Sequence, residues 1–474
     1  MAIDNFIYER FKQNLGFVPT KCQDAFFSIL AKFVAGEFSD DQDIFLVKGY
    51  AGTGKTSSLL SLVSYLKEYG HKYILLAPTG RAAKVLSNYT GNKAYTIHKQ
   101  IYRQKSVKDG IGNFSLDINK SRDTFFIVDE ASLISSASKE NNIFGSGDLL
   151  DDLVFYLRSN SNNKLLLIGD SAQLPPVGEQ ISNALNNSYL SKYADVIEIQ
   201  LKDVVRQAQD SGILFNATLI RDKIESLDNT IPKLELKNFD DIERITGADL
   251  IEKITISYDL VGADNTIVLC RSNRRANKYN AGIRSTILYK EDKLTVGDKL
   301  MIVKNCYNFS NSSEEEIDFI ANGDVGELIR ISKYESKYGL NFAQATLLFA
   351  DYNNMEVDAK IILDTLDSES ASLSFDSYKQ LYAGLSEEYS HIKSKRKREQ
   401  KIREDEYFNA LQIKYANAIT CHKSQGGQWK HVFIDTPFWG TEISEDDLKW
   451  LYTAITRAVD KVYFVNFDKR FFEN

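Results

Sequence analysis

The sequence predicts an α/β protein built on parallel sheets flanked by helices, and three observations carry that reading. Apolar runs of strand length recur at 44–47, 73–77, 125–128, 165–168, 267–270, 432–434 and 462–465. They are apolar at every position rather than at alternate ones, which suits strands covered on both faces. Several end directly in polar residues: Pro78-Thr79, Asp129-Glu130, Gly169-Asp170 and Arg271-Ser272. Open α/β sheets hold ligands at these carboxyl ends of strands. Thirdly, the run 44–47 leads through a glycine loop into an amphipathic stretch, 57–69, giving strand, loop and helix in succession.

That loop, Gly49-Tyr50-Ala51-Gly52-Thr53-Gly54-Lys55-Thr56, is the first element with chemistry. Its glycines let backbone N–H groups converge on a phosphate at the positive end of the following helix. Lys55 can reach the β- and γ-phosphates, and the Thr56 hydroxyl can ligate Mg2+. Correctly placed strand and helix separate this loop from a glycine-rich turn that binds nothing. The loop therefore predicts binding of a nucleoside triphosphate.

Bulk properties narrow the class. A chain of 474 residues is too long for one core and implies roughly three or four domains. With 43% hydrophobic and 26% charged residues the composition is that of a soluble globular protein. No apolar run reaches the length of a membrane span, and the first residues, acidic and discontinuously apolar, do not read as a secretory signal. Cys22, Cys270, Cys306 and Cys421 lie too far apart for a CxxC pair, which fits a reducing, cytoplasmic compartment. The net charge of −7 does not exclude nucleic acid, because affinity follows the local field in a groove. A basic track would have to be local.

The strands before residue 170 and those after 266 are separated by more helical, polar sequence, so two sheets are expected. Leu174-Pro175-Pro176-Val177-Gly178 marks a sharp loop. From about 290 to 410 short β-like runs (299–303, 326–331, 345–349, 357–363) alternate with turns such as Asn322-Gly323. They predict a small β domain inserted into the second sheet domain, closed by a charged helical segment, 386–410. Between His98 and Asp123, Ile111, Phe114, Leu116 and Ile118 surround Asp109-Gly110 and Gly112-Asn113, which suggests a β-hairpin with Phe114 near its tip.

Further residues gain meaning beside the glycine loop. Asp129-Glu130 ends a strand; the first acid can hold Mg2+ and the second can orient and deprotonate an attacking water. Gln173, just beyond the end of another strand, can hydrogen-bond a γ-phosphate, and Pro175-Pro176 stiffens the loop that would transmit its loss. Arg206 and Arg457 could each deliver a guanidinium to the charge that builds up in phosphoryl transfer. Either could equally be a solvated surface residue; their flanking sequences raise them above that.

Taken in order, these segments resemble a known family. They are 49–56, Ala77-Pro78-Thr79-Gly80-Arg81-Ala82-Ala83-Lys84, Thr96-Ile97-His98, Asp129-Glu130-Ala131-Ser132 and 169–176. Arg206-Gln207, Thr420-Cys421-His422-Lys423-Ser424-Gln425-Gly426-Gly427 and 452–458 follow. The set is similar to the RecD- and Dda-like group of superfamily 1B DNA helicases. The resemblance implies two RecA-like P-loop motor domains, a short β-hairpin insertion in the first and a small SH3-like β insertion in the second. The implied boundaries are 1–200 for the first motor (hairpin 99–122), 201–290 with 411–474 for the second, and 291–410 for the insertion.

The same resemblance implies the roles. Gln23 would read the adenine edge, Gly52, Thr53, Gly54, Lys55 and Thr56 would cradle the phosphates, and Gly427 would lie near the γ-phosphate. Thr56 and Asp129 would hold Mg2+, with Lys55, Glu130, Gln173, Arg206 and Arg457 acting in catalysis. Pro78, Thr79, His98, His422 and Lys423 would contact the strand. ATP and Mg2+ are the implied cofactors. Single-stranded and forked duplex DNA are the implied partners of a monomer working near replication and repair proteins. The Gln-Leu-Pro-Pro segment and the β-rich insertions favour 5′→3′ movement, by analogy. A protein-displacing translocase on single-stranded DNA and the motor subunit of a recombination or repair complex remain alternatives. Gln428 stands where relatives often carry an acid, which removes a carboxylate contact to a sugar.

Three residue sets keep two readings each. Phe114 is either a wedge for strand separation or a ring packed on its own domain. Trp429 is either a base-stacking platform or core. The run Lys393-Ser394-Lys395-Arg396-Lys397-Arg398-Glu399-Gln400-Lys401-Ile402-Arg403 either gathers DNA phosphates or is a solvated helical face.

Overall fold

The structure is a computed structural model. It describes residues 3–39, 41–104, 114–136, 145–204, 211–306, 320–352, 354–436 and 442–472. The first sheet domain begins with strand β1 (Ile44–Gly49), β2 (Lys72–Ala77) and β3 (Ala94–Thr96). A two-stranded antiparallel ribbon follows, β4 (Tyr102–Gln104) and β5 (Phe114–Leu116). Then come β6 (Thr124–Val128), β7 (Lys164–Gly169) and β8 (Ile197–Leu201). The spatial order is β3-β2-β6-β7-β1-β8, every pair parallel. β7 thus lies between the glycine-loop strand β1 and the strand β6 that ends at Asp129.

The sheet is parallel because each crossover is a helix, and both faces are then covered. One face packs against Phe26, Phe27, Leu59 and Leu66, the other against Ile97, Leu150, Leu153 and Leu185. That is the physical reason the sequence shows continuous apolar runs instead of alternation.

The second sheet contains β9 (Ile242–Ile245) and β10 (Thr266–Cys270), and after them the chain leaves it. β11 (Lys299–Ile302), β12 (Val325–Lys337), β13 (Leu340–Phe349), β14 (Met355–Ile362) and β15 (Leu411–Tyr415) form a closed barrel. Its core holds Leu300, Leu328, Leu347, Phe349, Val357 and Ile413. Helices Phe375–Glu388 and Lys395–Glu404 lie between β14 and β15 and pack on the outside of the barrel through Leu381, Leu385 and Ile402. The chain then returns to the second sheet as β16 (Ala418–Thr420), β17 (Trp429–Asp435) and β18 (Ala458–Val465), in the parallel order β16-β10-β17-β18-β9.

The expected fold class is therefore present: two parallel sheets flanked by helices, a short ribbon in the first and a small barrel in the second. One detail differs from the sequence reading: β15, at 411–415, belongs to the barrel, pairing with β11 and β14, so the insertion runs past its expected end at 410. Phe114 opens β5 opposite Gln104, on the turn side of the ribbon, with Tyr102 and Leu116 at its base. The turn residues Asp109-Gly110 and Gly112-Asn113 lie outside the described residues. No helix among the described residues is long and apolar enough to cross a membrane.

Candidate active site between the two sheets

The glycine loop leaves β1 and turns into helix Lys55–Glu68, with Gly54 as its N-cap at φ +78°. A β-carbon is strained in that left-handed conformation, so glycine suits the position. The first N–H groups of the helix lack intrahelical partners and face the loop's concavity. Lys55 folds back, its Nζ donating to the carbonyls of Gly49 at 2.6 Å and Tyr50 at 2.8 Å. Thr53 is fully buried, and its hydroxyl closes the loop onto the Tyr50 carbonyl at 2.8 Å. Thr56, on the first turn of the helix, is half-buried.

Because β7 lies between β1 and β6, the ends of two adjacent strands carry the site's acids beside the glycine loop that follows β1. Asp129 and Glu130 follow β6, and Asp170 follows β7. Asp129 is half-buried, and its Oδ1 accepts the Glu130 N–H at 2.9 Å. Desolvation, reinforced by the Glu130 carboxylate, pushes the Asp129 pKa up to about 7 despite that hydrogen bond and the nearby Lys55. Glu130 itself sits at φ +53°, a left-handed backbone conformation that is uncommon for a side-chain-bearing residue. Asp170 is 1% exposed, its Oδ1 accepts from the Ala172 N–H at 3.0 Å, and its Oδ2 lies 3.8 Å from Lys55 Nζ. Asp170 and Asp129 thus both lie near Lys55, and Glu130 adjoins Asp129.

Gln173 is buried, and its Oε1 accepts no hydrogen bond among the described residues. Such an orphaned amide is costly unless something meets it. Gln23 is fully buried on helix Lys21–Ala35. Its Oε1 accepts from Thr20 N–H at 3.0 Å in a capping box, and its Nε2 donates to the Thr53 carbonyl at 3.4 Å. The side chain expected to read adenine therefore ties a helix N-terminus to the glycine loop.

The second sheet faces this site through helix Glu445–Ile455. The Tyr452 hydroxyl accepts the Ala51 N–H of the glycine loop at 2.8 Å and donates to Asp170 Oδ2 at 2.7 Å. Thr453 Oγ1 accepts from Leu174 N–H at 2.9 Å, and Gln425 Nε2 donates to the Leu174 carbonyl at 2.7 Å. Tyr50, Ala172 and Leu174 of the first domain share an apolar cluster with Trp450, Leu451 and Ile455. Arg457, just past the helix, is 4% exposed. Its guanidinium bonds the carbonyls of Thr453 (3.1 Å) and Gly427 (3.3 Å) and the Thr456 hydroxyl (3.3 Å). All three are neutral oxygens of its own domain. Arg206, the other expected arginine, lies outside the described residues.

Of the residues expected on DNA, Thr79 lies where the two domains meet. Thr79 caps helix Gly80–Thr90, its hydroxyl accepting the Ala82 N–H at 3.2 Å, with the half-buried Pro78 before it. Gly426 and Gly427 of the second domain pack on this turn. A β-carbon at Gly426 would stand 3.2 Å from Thr79 Oγ1, and one at Gly427 would stand 2.5 Å from Arg81 Nε. A side chain at 427 would push the Arg81 guanidinium and the Trp429 ring aside. His422 is exposed, and Lys423 reaches Asn322 of the barrel. Lys84 Nζ of the first domain bonds the Ala350 carbonyl, also in the barrel, at 3.0 Å. Trp429 is 5% exposed, with the Arg81 guanidinium 3.9 Å above its ring; that is the core reading. Phe114 is half-buried against the first domain's core.

Two functional features escaped the sequence reading. Tyr452 lies in a run whose eight residues from 448 to 455 are all buried, so it reads as core; only docking of the domains gives its hydroxyl partners. Asp170 reads as a turn residue, and its neighbour Lys55 is distant in sequence.

Comparison with known proteins agrees with this geometry. The AAA domain family matches residues 32–246, and the UvrD-like helicase C-terminal domain family matches residues 415–465. The ATP-dependent DNA helicase dda of Enterobacteria phage T4 is 25% identical, over 88% of this chain and 93% of that protein. An uncharacterized protein of Acanthamoeba polyphaga mimivirus is 23% identical, over 89% of this chain and 95% of its own length. A crystal structure of Pif1 helicase from Bacteroides in complex with ADP-AlF3 and ssDNA covers 97% of this chain and 95% of its own, at TM-score 0.46 and 16% identity. The two matched domains fall on the two sheets in the order the motifs require, and together with the dda relative they support a superfamily 1B helicase of the RecD- and Dda-like kind.

Proposed function

We propose that this chain is an ATP- and Mg2+-dependent DNA helicase that moves 5′→3′ on single-stranded DNA and opens forked duplexes. The observation that carries the reading is the bond from Ala51 N–H to Tyr452 Oη. It puts the triphosphate loop of one sheet domain directly against a helix of the other. A ligand in the loop then changes the contact between the domains, which is how hydrolysis becomes movement. As domains we take 1–200, 201–290 with 416–474, and 291–415, the last carried past 410 because β15 pairs within the barrel.

In this reading the N–H groups of Gly52 to Thr56 hold the phosphates, and Lys55 turns from its two carbonyls to the β- and γ-oxygens. The donor set fits Mg2+, since the Thr56 hydroxyl and Asp129 carboxylate are hard oxygens. The elevated Asp129 pKa reflects burial first and the neighbouring Glu130 charge second, and a bound cation would offset both. When bound, Mg2+ neutralises charge on the phosphate oxygens. Glu130 accepts the proton of the attacking water. Gln173 turns its amide toward the γ-phosphate, and Gly427 lies close to it. Arg457 exchanges three neutral oxygens for that phosphate, with Arg206 as its companion. Gln23 meets adenine by giving up its bonds to Thr20 and Thr53. Pro78, Thr79, His98, His422 and Lys423 line the strand, and Phe114, on the turn side of the ribbon, supports strand separation. Replication and repair proteins are the fitting partners of a monomeric motor in the cytoplasm.

Matched duplexes with a 5′ or a 3′ single-stranded tail test activity and direction together. With ATP the 5′-tailed duplex is expected to open and the 3′-tailed one to stay closed; the reverse preference would refute the polarity. Loss of the Glu130 base should slow turnover by about a hundredfold or more. A Glu130→Gln protein that unwinds at the wild-type rate would remove Glu130 from the mechanism.

A further inference from the structure

Two donors stand within reach of one carboxylate oxygen at the cleft. Oδ2 of Asp170 accepts the Tyr452 hydroxyl at 2.7 Å, while Lys55 Nζ stays 3.8 Å away, beyond hydrogen-bond length. Asp170 is 1% exposed and Tyr452 is 1% exposed, so water does not compete. Burial and the adjacent Asp170 push the Tyr452 phenol well up, which keeps it neutral and able to donate. The Tyr452 hydroxyl belongs to the second domain and Lys55 to the first. Asp170 must therefore lose its tyrosine whenever the cleft opens. The nearest cation is then Lys55, and a shift of about an ångström makes a charge-assisted bond. Of the neighbouring contacts, that of Thr453 lies on the same helix and that of Gln425 elsewhere in the second domain. Thr453 and Gln425 hold both polar groups of Leu174, next to Gln173.

We propose that Tyr452 is a positioning residue that keeps Lys55 off Asp170 while the two domains are in contact, leaving the lysine for the phosphates. When helix Glu445–Ile455 withdraws, Asp170 takes Lys55 and the loop is disarmed. The inference rests on the ATP-hydrolysis reading above. It adds a coupling between domain contact and the lysine.

Steady-state ATP hydrolysis at saturating single-stranded DNA, for wild type, Tyr452→Phe, Asp170→Asn and the double variant, tests it. Loss of one hydrogen bond to a charged group should lower kcat of Tyr452→Phe by about tenfold, with KM for ATP changed less than about twofold. Adding Asp170→Asn to Tyr452→Phe should restore most of that kcat, because a neutral amide cannot hold the lysine. Binding of a fluorescent ADP and the melting temperature of Tyr452→Phe should stay near wild type. A wild-type kcat in Tyr452→Phe overturns the proposal, and so does a double variant no faster than the single one. Loss of ADP binding or of cooperative melting in Tyr452→Phe also overturns it, leaving the tyrosine a packing residue. A wild-type protein that hydrolyses no ATP with DNA overturns the function reading itself.

Discussion

His98 illustrates what a single side chain carries. It lies in the short helix Ile97–Ile101, whose N-cap Thr96 accepts from Lys99 N–H at 3.1 Å, and its ring centre is 5.7 Å from that of Tyr102. Burial pushes its pKa down to about 4. The folded value is below the unfolded one, near 6.5, so on acidification the unfolded chain takes up the proton first. Stability is unaffected above about pH 6.5 and falls as the pH drops toward 4. Urea titrations between pH 7 and 4.5 should show this acid loss diminished in His98→Gln; equal losses in both proteins would deny the burial. At neutral pH the ring is uncharged, so it would meet DNA by stacking or hydrogen bonding and add nothing to the salt slope. Residues such as Lys55, Asp129 and Arg457 stand out as candidates because their chemistry is written in local strings. Tyr452 was not, because a buried tyrosine on an apolar helix is indistinguishable from core until its partners arrive from another domain.

At the scale of elements, the barrel is fastened to the second sheet by a buried ion cluster. Arg284 follows helix Asn273–Gly282 and grips Asp298, just before β11, with bonds of 3.1 and 2.9 Å. Lys290 Nζ adds a third at 3.2 Å, and Thr295 N–H a fourth at 2.8 Å. Asp298 is 2% and Arg284 6% exposed, and the guanidinium also lies 4.4 Å over the Tyr415 ring of β15. Removing the acid strands two cations, one of them deeply buried. Asp298→Ala should therefore cost about 3–5 kcal/mol, read as a lower urea midpoint at unchanged m. A loss below about 1 kcal/mol would mean the cations find water. Such a joint has no signature in sequence, where Arg284 is one charged residue among many. Element length had the same effect: β3 and β16 have three residues each, too few for any periodicity. They exist because β2 and β10 offer them an edge to complete. The longer runs were legible because burial on both faces leaves little freedom of composition.

At the scale of the molecule, a protein of net charge −7 has to gather phosphates through a local field. The order of motifs made two sheet domains legible; how they dock was not, since docking depends on single contacts such as Ala51 with Tyr452. The basic run is a case where both levels meet. Most of it forms helix Lys395–Glu404, which turns Ile402 into the barrel's outer cluster and leaves Lys395, Arg396 and Lys397 exposed. Glu399 lies 4.0 Å from Lys395, and Glu404 lies 3.8 Å from Lys401, so part of the positive field is already answered within the helix. The exposed trio is not fully neutralised by these pairs, and a strand leaving the interface near Lys423 could meet it. Each single-strand phosphate neutralised releases counterions worth about 0.7 in the slope of log K against log salt. Replacing Lys395, Arg396 and Lys397 by Gln should then flatten that slope by about 2 if all three meet phosphates. Weaker binding should appear at low salt and vanish at high salt, measured with a fluorescent oligonucleotide. An unchanged slope would leave the helix as a solvated face that keeps the barrel soluble, and would move the DNA track to the turn around Thr79 and His422.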